Sequence, residues 1–234
     1  MVMQVLDPNL SILPASQLRL WPELHATPSH FTLYGGTALA LRLGHRTSID
    51  FDFFSYRSFD PDQLVRSISY LRDAETVQVA PNTLSCRIEA EGFVAVSFFG
   101  GLDIGQVAPR DIIPENSLHV ASLLDIAGTK AAVIQKRSEV KDYLDIDAIL
   151  RSGVDLPTLL AAGKVVYGKS FNPLITLKAL SYFEDVHRLP LEVKRRLHLA
   201  VEHFSWGEKL PRFKAYRTYG TSQDYKDEAT PPQS

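Results

Sequence analysis

Polar and apolar positions alternate most sharply at 48–54, SIDFDFF, where Ser48, Asp50 and Asp52 are interleaved with Ile49, Phe51 and Phe53. A period of two marks a half-buried strand. FTLY at 31–34 predicts a short strand, which Gly35-Gly36-Thr37 ends, and ALALRL predicts a helix that opens at once. Residues 76–80, 83–90 and 93–99 read as strands separated by PNT and EG turns. Asp60-Pro61-Asp62 predicts a capped helix with proline in its first turn, running to about Leu71. A short helix is expected near Ala15–Leu24, and Pro109 and Pro114 flank a loop or short strand.

After Ser117 the texture changes. Good helix formers without proline run from Val120 to Leu150, and helical patterns recur at 156–166, 173–186 and 190–204. The expected fold class is α+β: a mixed sheet with flanking helices over residues 1–115, then a helical domain over 116–205. Residues 206–234 are polar and are expected to form a loosely held tail.

Composition narrows the class. The chain has 234 residues, 45% hydrophobic and 22% charged, which excludes a wholly disordered chain, a collagen or a coiled coil. No apolar run approaches the roughly 18–20 residues of a membrane span. The opening MVMQVLDPNLSILP lacks a basic segment followed by an apolar core, so no signal peptide is expected, and a cytoplasmic protein is the default. The single cysteine, Cys86, excludes an intramolecular disulfide or a multi-thiolate zinc site and reads as a small core hydrophobe. Charge is uneven. Residues 1–120 hold 8 lysines and arginines against 13 acidic residues, and 121–234 hold 17 against 14. This is either two sub-structures facing one site or drift in surface charge.

The chemistry concentrates at 35–52. Asp50 and Asp52, two apart on a strand, point to one face roughly 6.6–6.8 Å apart. Two carboxylates so held can share Mg²⁺ and serve phosphoryl transfer. D-x-D recurs at Asp60/Asp62, better read as helix capping, and at Asp145/Asp147, better read as a solvated helix face. Context sets the first pair apart. A strand, the turn Gly35-Gly36-Thr37 and a helix start lie just upstream. Glycines admit close approach of a phosphate, and a helix N-terminus offers unpaired N–H groups. Arg46 lies between, near enough in sequence to reach a phosphate or pair with an aspartate. Taken alone, Gly35-Gly36 is a plain tight turn.

YGGTALALRLGHRTSIDFDFF, followed downstream by KAAVIQKRSEVKDYLDIDAIL, resembles the AbiEii/AbiGii-type nucleotidyltransferase toxins of the polymerase-β-like nucleotidyltransferase superfamily. The resemblance covers residues 30–150 with motifs, and the helices to about 200 more loosely. It implies a nucleotidyltransferase-like core in which Gly35, Gly36 and Thr37 hold a triphosphate and Asp50 and Asp52 bind metal, Mg²⁺ or Mn²⁺. It implies transfer of a nucleotide from an NTP to an acceptor, tRNA for some members, in a toxin–antitoxin or phage-defence setting with a cognate antitoxin. Family members usually carry a third acidic residue on a later strand. The matching stretch here is VAVSFF, with Ser97 at the position, and Glu89 or Asp103 is the alternative carboxylate. Ser97 therefore also supports a second reading, a degenerate member that binds nucleotide or a partner without catalysis. A third is transfer to a protein side chain.

Lys130, Arg137 and Lys141 are 7 and 4 residues apart, so on one unbroken helix they fall within about 20° of a single stripe facing a cleft. By resemblance, Lys130 and the Lys141-Asp142 pair match the family's downstream motif. A lysine there neutralises charge in the transferring phosphoryl group, and Asp142 or Asp145 holds that lysine or a hydroxyl. The same residues also fit a solvated helix with i,i+4 pairs. Gly163–Ser170 fits the P-loop pattern, but LPTLLAAG before it is helical and Asn172-Pro173 interrupts the helix that should follow, so a loop between helices is expected. Lys194-Arg195-Arg196, with Lys209, Arg212, Lys214 and Arg217, makes the C-terminal part basic: an RNA contact or a solvated face.

Overall fold

Asp50-Phe51-Asp52-Phe53-Phe54 forms the strand at the centre of the molecule, with Phe51 and Phe53 fully buried on one face and the aspartates on the other. The computed structural model describes residues 4–205 and 209–217. Seven strands make one mixed sheet: β1 (Thr32–Tyr34), β2 (Asp50–Phe54), β3 (Glu75–Ala80), β4 (Thr83–Glu89), β5 (Phe93–Phe99), β6 (Asp111–Ile113) and β7 (Leu118–Val120). Their order is β3-β4-β5-β2-β1-β7-β6. β2 runs antiparallel to β1 and parallel to β5. The sheet thus extends past the expected strands: β7, too short to give a period, lies parallel to β1 through Leu33 and Val120.

One face of β2 and β5 packs its aromatics together. Phe53 stacks on Phe98 at 5.1 Å, Phe98 meets Phe31 edge-on at 5.1 Å, and Phe51 lies 6.5 Å from Trp21. Trp21 belongs to a 3-10 turn that continues α1 (Ala15–Leu20). The opposite face divides. Over β1 and β2 it is covered, because Phe54, Tyr56, Leu102 and Ile104 pack against Ala162 and Val166. Over β5, β4 and β3 it is open: Ala95, Arg87 and Glu89 are exposed.

Helix starts follow the expected caps. α2 (Gly35–Leu43) begins directly after β1 and ends at Gly44, which has φ 61°. Asp60 accepts from Gln63 N–H to start α3 (Pro61–Ser67). That helix stops short of Leu71, because a 3-10 turn at Ser69–Leu71 inserts Tyr70 and Leu71 into the core.

The helix expected across 120–150 is two helices, α4 (Leu123–Val133) and α5 (Val140–Arg151). The reason is tertiary. On a straight helix Lys130 and Asp142 would lie about 18 Å apart, whereas the break lets Lys130 Nζ reach Asp142 Oδ1 at 3.0 Å. α6 (Leu156–Tyr167), α7 (Pro173–Ser181) and α8 (Leu191–Glu202) follow. The P-loop-like stretch is the end of α6 and a 3-10 turn, Gly168–Ser170. A continuous apolar core runs from Ile12 to Val201. Of the expected tail, 206–208 and 218–234 lie outside the described residues. Within 209–217, the Arg217 backbone bridges to Gln106 and its guanidinium covers the Tyr56 ring at 3.5 Å.

Candidate functional site: a glycine turn, two aspartates and four cations

Gly35 sits at φ +74°, and a Cβ there would come within 2.8 Å of Asp52 Oδ2. The chain can pass this close to the carboxylate only as glycine. A Cβ on Gly36 would meet Arg46 Nη2 at 2.5 Å and Ser48 Oγ at 3.0 Å. Tyr34, the N-cap of α2, makes no side-chain capping bond. The first N–H groups of α2 are thus not taken by a cap side chain, the condition for binding an anion at a helix N-terminus.

Gly35, Gly36, Arg46, Asp50, Asp52, Lys130 and Lys141 all line one cavity of about 480 Å³. Two expected site residues do not. Thr37 is fully buried, and its hydroxyl lies 2.5 Å from the Asp50 carbonyl, to which it donates, and 2.9 Å from Ser48 Oγ. It ties the first turn of α2 to β2, and Ser48 is the hydroxyl that lines the cavity. Asp142 is also fully buried, beneath the lining. Glu89 and Asp103 are not part of the lining. Glu89 stands opposite Phe93, two residues before the Ala95 that faces Asp50. With two strand spacings of about 4.8 Å between β4 and β2, it is out of reach of a metal shared by Asp50 and Asp52.

Lys130, Arg137 and Lys141 share the cavity, but not through a helical stripe: α4 supplies the first, the connection supplies the second and α5 the third. Beneath them lie two fully buried carboxylates. Asp145 accepts from Arg46 Nε at 2.6 Å, Arg46 Nη2 at 2.9 Å and His45 Nε2 at 2.7 Å, and pairs with Lys130 Nζ at 2.5 Å. Asp142 accepts from Lys130 and twice from Arg137, at 2.7 and 3.2 Å. Burial pushes the Asp145 carboxyl up, but His45, Arg46 and Lys130 outweigh it and hold it well below the usual range. Asp145, read from sequence as a solvated position or a holder of the lysine, is the hub of the cluster.

Asp50 and Asp52 differ from this pair. Neither carboxylate has a hydrogen bond or ion pair with a described residue. Burial and the neighbouring Asp50 raise the pKa of Asp52, while Lys130, Lys141 and Arg137 pull it down. Two free carboxylates beside an anion cradle fit Mg²⁺, which is bound by one or two carboxylates with substrate phosphates and water. Among the described residues no group of three or more potential ligands forms a closed metal cage.

Phe54, Tyr34, Ile49, Val133 and Tyr167 form the apolar part of the lining, and sequence reasoning did not find them. Only Phe54 and Ser48 carried a signal, since both continue the alternation of Asp50 and Asp52.

The profile of the family described as "Nucleotidyl transferase AbiEii toxin, Type IV TA system" matches residues 23–218. The chain belongs to this family. It is 33% identical over 158 residues to an uncharacterized protein of Aquifex aeolicus (strain VF5), covering 66% of this chain and 74% of that one. The fold is similar to that of MenT4, a nucleotidyltransferase toxin from Mycobacterium tuberculosis H37Rv, with a TM-score of 0.56, 17% identity and 82% and 83% of the two chains covered. It is also similar to an antigenic nucleotidyltransferase-like protein from Paracoccidioides brasiliensis, with a TM-score of 0.51, 16% identity and 81% and 94% covered. In this AbiEii family member the two sequence blocks that carry the resemblance meet at the cavity. The first supplies the turn and aspartates, and the second supplies the lysines.

Proposed function

We propose that this AbiEii family protein transfers a nucleotide from an NTP to an RNA acceptor, tRNA being one candidate, with Mg²⁺ or Mn²⁺. The observation that carries the reading is the pair of unpartnered carboxylates, Asp50 and Asp52, facing the glycine turn and four cations across one cavity. The Gly35–Gly36 backbone would hold the β- and γ-phosphates. Lys130, Lys141 and Arg46 would neutralise charge on the triphosphate, and Arg137 would join them. Divalent metal held by Asp50 and Asp52 would polarise the α-phosphate. The acceptor hydroxyl would attack that phosphorus in line, and pyrophosphate would leave toward the glycine turn. Asp142 and Asp145 would act from beneath, keeping Lys130, Arg46 and Arg137 in place. In this reading residues 1–115 and 116–205 act as two parts around the cleft. An antitoxin is the partner that the toxin family suggests.

One observation favours a second reading. Ser97 stands directly opposite Asp52 in the ladder, so the site has two carboxylates on this face where a third would complete a metal clamp. A degenerate protein that binds nucleotide without transfer follows from that. Incubation with each α-³²P-labelled NTP, Mg²⁺ or Mn²⁺ and total tRNA separates the two. Label on RNA that is lost in Asp50→Ala/Asp52→Ala supports transfer. Nucleotide binding without label on RNA or protein supports the degenerate reading, and label on protein supports a side-chain acceptor.

A further inference from the structure

The register of the sheet places a lane of small polar side chains beside the aspartates. Asp52 pairs with Ser97, Ser97 with Ser85, and Ser85 with Gln78. Paired residues on neighbouring strands share a face, so these four side chains form a row across β2, β5, β4 and β3. The row is about 14 Å long at a strand spacing of about 4.8 Å. It is flanked on one side by Ala95 and Arg87 and on the other by Phe99, Thr83 and Ala80. Among the described residues no helix covers this part of the sheet, in contrast to the β1–β2 side.

In-line displacement puts the attacking oxygen and the leaving oxygen on opposite sides of the phosphorus. The glycine turn lies on the β1 side of Asp52. With the pyrophosphate leaving on that side, the acceptor enters on the β5 side, over Ser97. Ser97 Oγ and Ser85 Oγ lie 3.0 Å apart and hydrogen-bond to each other. Two hydroxyls hold two protons and four lone pairs. Their mutual bond leaves one proton and three lone pairs free, and both residues are partly exposed. A pair of hydroxyls at this spacing complements a vicinal diol.

We propose that the acceptor enters along Gln78–Ser85–Ser97 and that the Ser97/Ser85 pair binds the terminal ribose diol of an RNA. This rests on the transfer reading above and names its acceptor site. The attacking ribose oxygen forms a bond to the α-phosphorus, the α–β phosphoanhydride bond breaks, and pyrophosphate departs. The acceptor proton passes to water, which has access along the open lane. The other ribose hydroxyl stays bonded to the serine pair. A protein can distinguish RNA from DNA through such a hydroxyl.

The test compares an RNA ending in ribose with the same RNA ending in 2′-deoxyribose, each labelled from an α-³²P NTP. The enzymes are wild type, Ser97→Ala, Ser85→Ala, Ser97→Thr and the lane-filling Ser85→Leu. Wild type is expected to prefer the ribose end by about tenfold in kcat/KM, the effect of one lost hydrogen bond. Both alanine variants lose that preference, with KM for the NTP unchanged, and Ser97→Thr keeps it. Ser85→Leu raises KM for the acceptor and leaves NTP binding intact. A ribose preference that survives in both alanine variants overturns the proposal, as does wild-type acceptor KM in Ser85→Leu. Either result leaves the transfer reading standing. Absence of RNA labelling by wild type overturns both.

Discussion

Arg46 holds Asp145 with two hydrogen bonds, 2.6 and 2.9 Å long, across 99 residues of chain. The pair joins the loop after α2 to α5, and it aims a guanidinium that lines the cavity. A buried carboxylate is stable here only because Arg46, His45 and Lys130 surround it.

Removing that carboxylate is expected to cost stability first. Asp145→Asn should destabilise by about 3–5 kcal/mol, because it leaves buried cations uncompensated. The pH dependence follows from the lowered folded pKa of Asp145. Its contribution is present above the unfolded value of about 4 and is lost as pH falls below it. Denaturant melts of both proteins between pH 3 and 7 check this: the gap between them should narrow toward acid.

Lys141 offers the contrasting case. Its side chain is 46% exposed, and among the described residues it pairs only with Glu139. Lys141→Ala should leave stability within about 0.5 kcal/mol. If the lysine meets the transferring phosphoryl group, the rate should fall by about 100-fold. Single-turnover labelling alongside a thermal melt separates these effects, and a rate equal to wild type would remove Lys141 from the site.

Asp50→Asn and Asp52→Asn should each abolish transfer without unfolding the protein. Neither carboxylate holds a structural partner among the described residues, and Asp52 is disfavoured as an anion by burial and by Asp50. The melting temperature of Asp52→Asn should equal or exceed that of wild type. A large drop would mean that the carboxylates are structural.

Gly36→Ala tests the cradle. The added methyl meets the flexible end of Arg46 at 2.5 Å, so the fold can give way by moving that side chain. Nucleotide affinity should fall more than stability. Gly35→Ala should cost stability too, about 1–2 kcal/mol, because its φ is +74°. Calorimetric titration with a non-hydrolysable NTP, set against melts, reads both.

Asp125 sets a second pH dependence, away from the site. Burial raises its pKa to about 6, and hydrogen bonds from Ser122 and the Val107 N–H offset this only in part. Folding therefore favours the protonated acid. That stabilisation is complete below about pH 4 and is lost as pH rises through about 6. Asp125→Asn should gain stability relative to wild type between pH 4 and 7, which melts across that range would reveal.

Local chemistry made much of the candidate site's geometry legible in the sequence. Alternation placed Asp50 and Asp52 on one face of a strand, and two glycines before a helical run marked the turn. Thr37 misled, because a hydroxyl in the first turn of a helix points inward or outward according to what lies beneath, and here that is the Asp50 carbonyl. Tyr34, Val133 and Tyr167 carried no signal, since an apolar residue lining a cavity looks like one in a core.

The sequence by itself determined the strands with a clear period, the caps and the two charged blocks, because each depends on neighbours within a few residues. Only the tertiary structure decided that helix 120–150 breaks, that Asp145 is the hub and that Ser97 faces Asp52. These outcomes depend on ion pairs and strand pairing between distant segments. The attraction among Arg46, Lys130, Arg137, Asp142 and Asp145 becomes decisive once they share a buried space, and there it outweighs the helix propensity of the residues between.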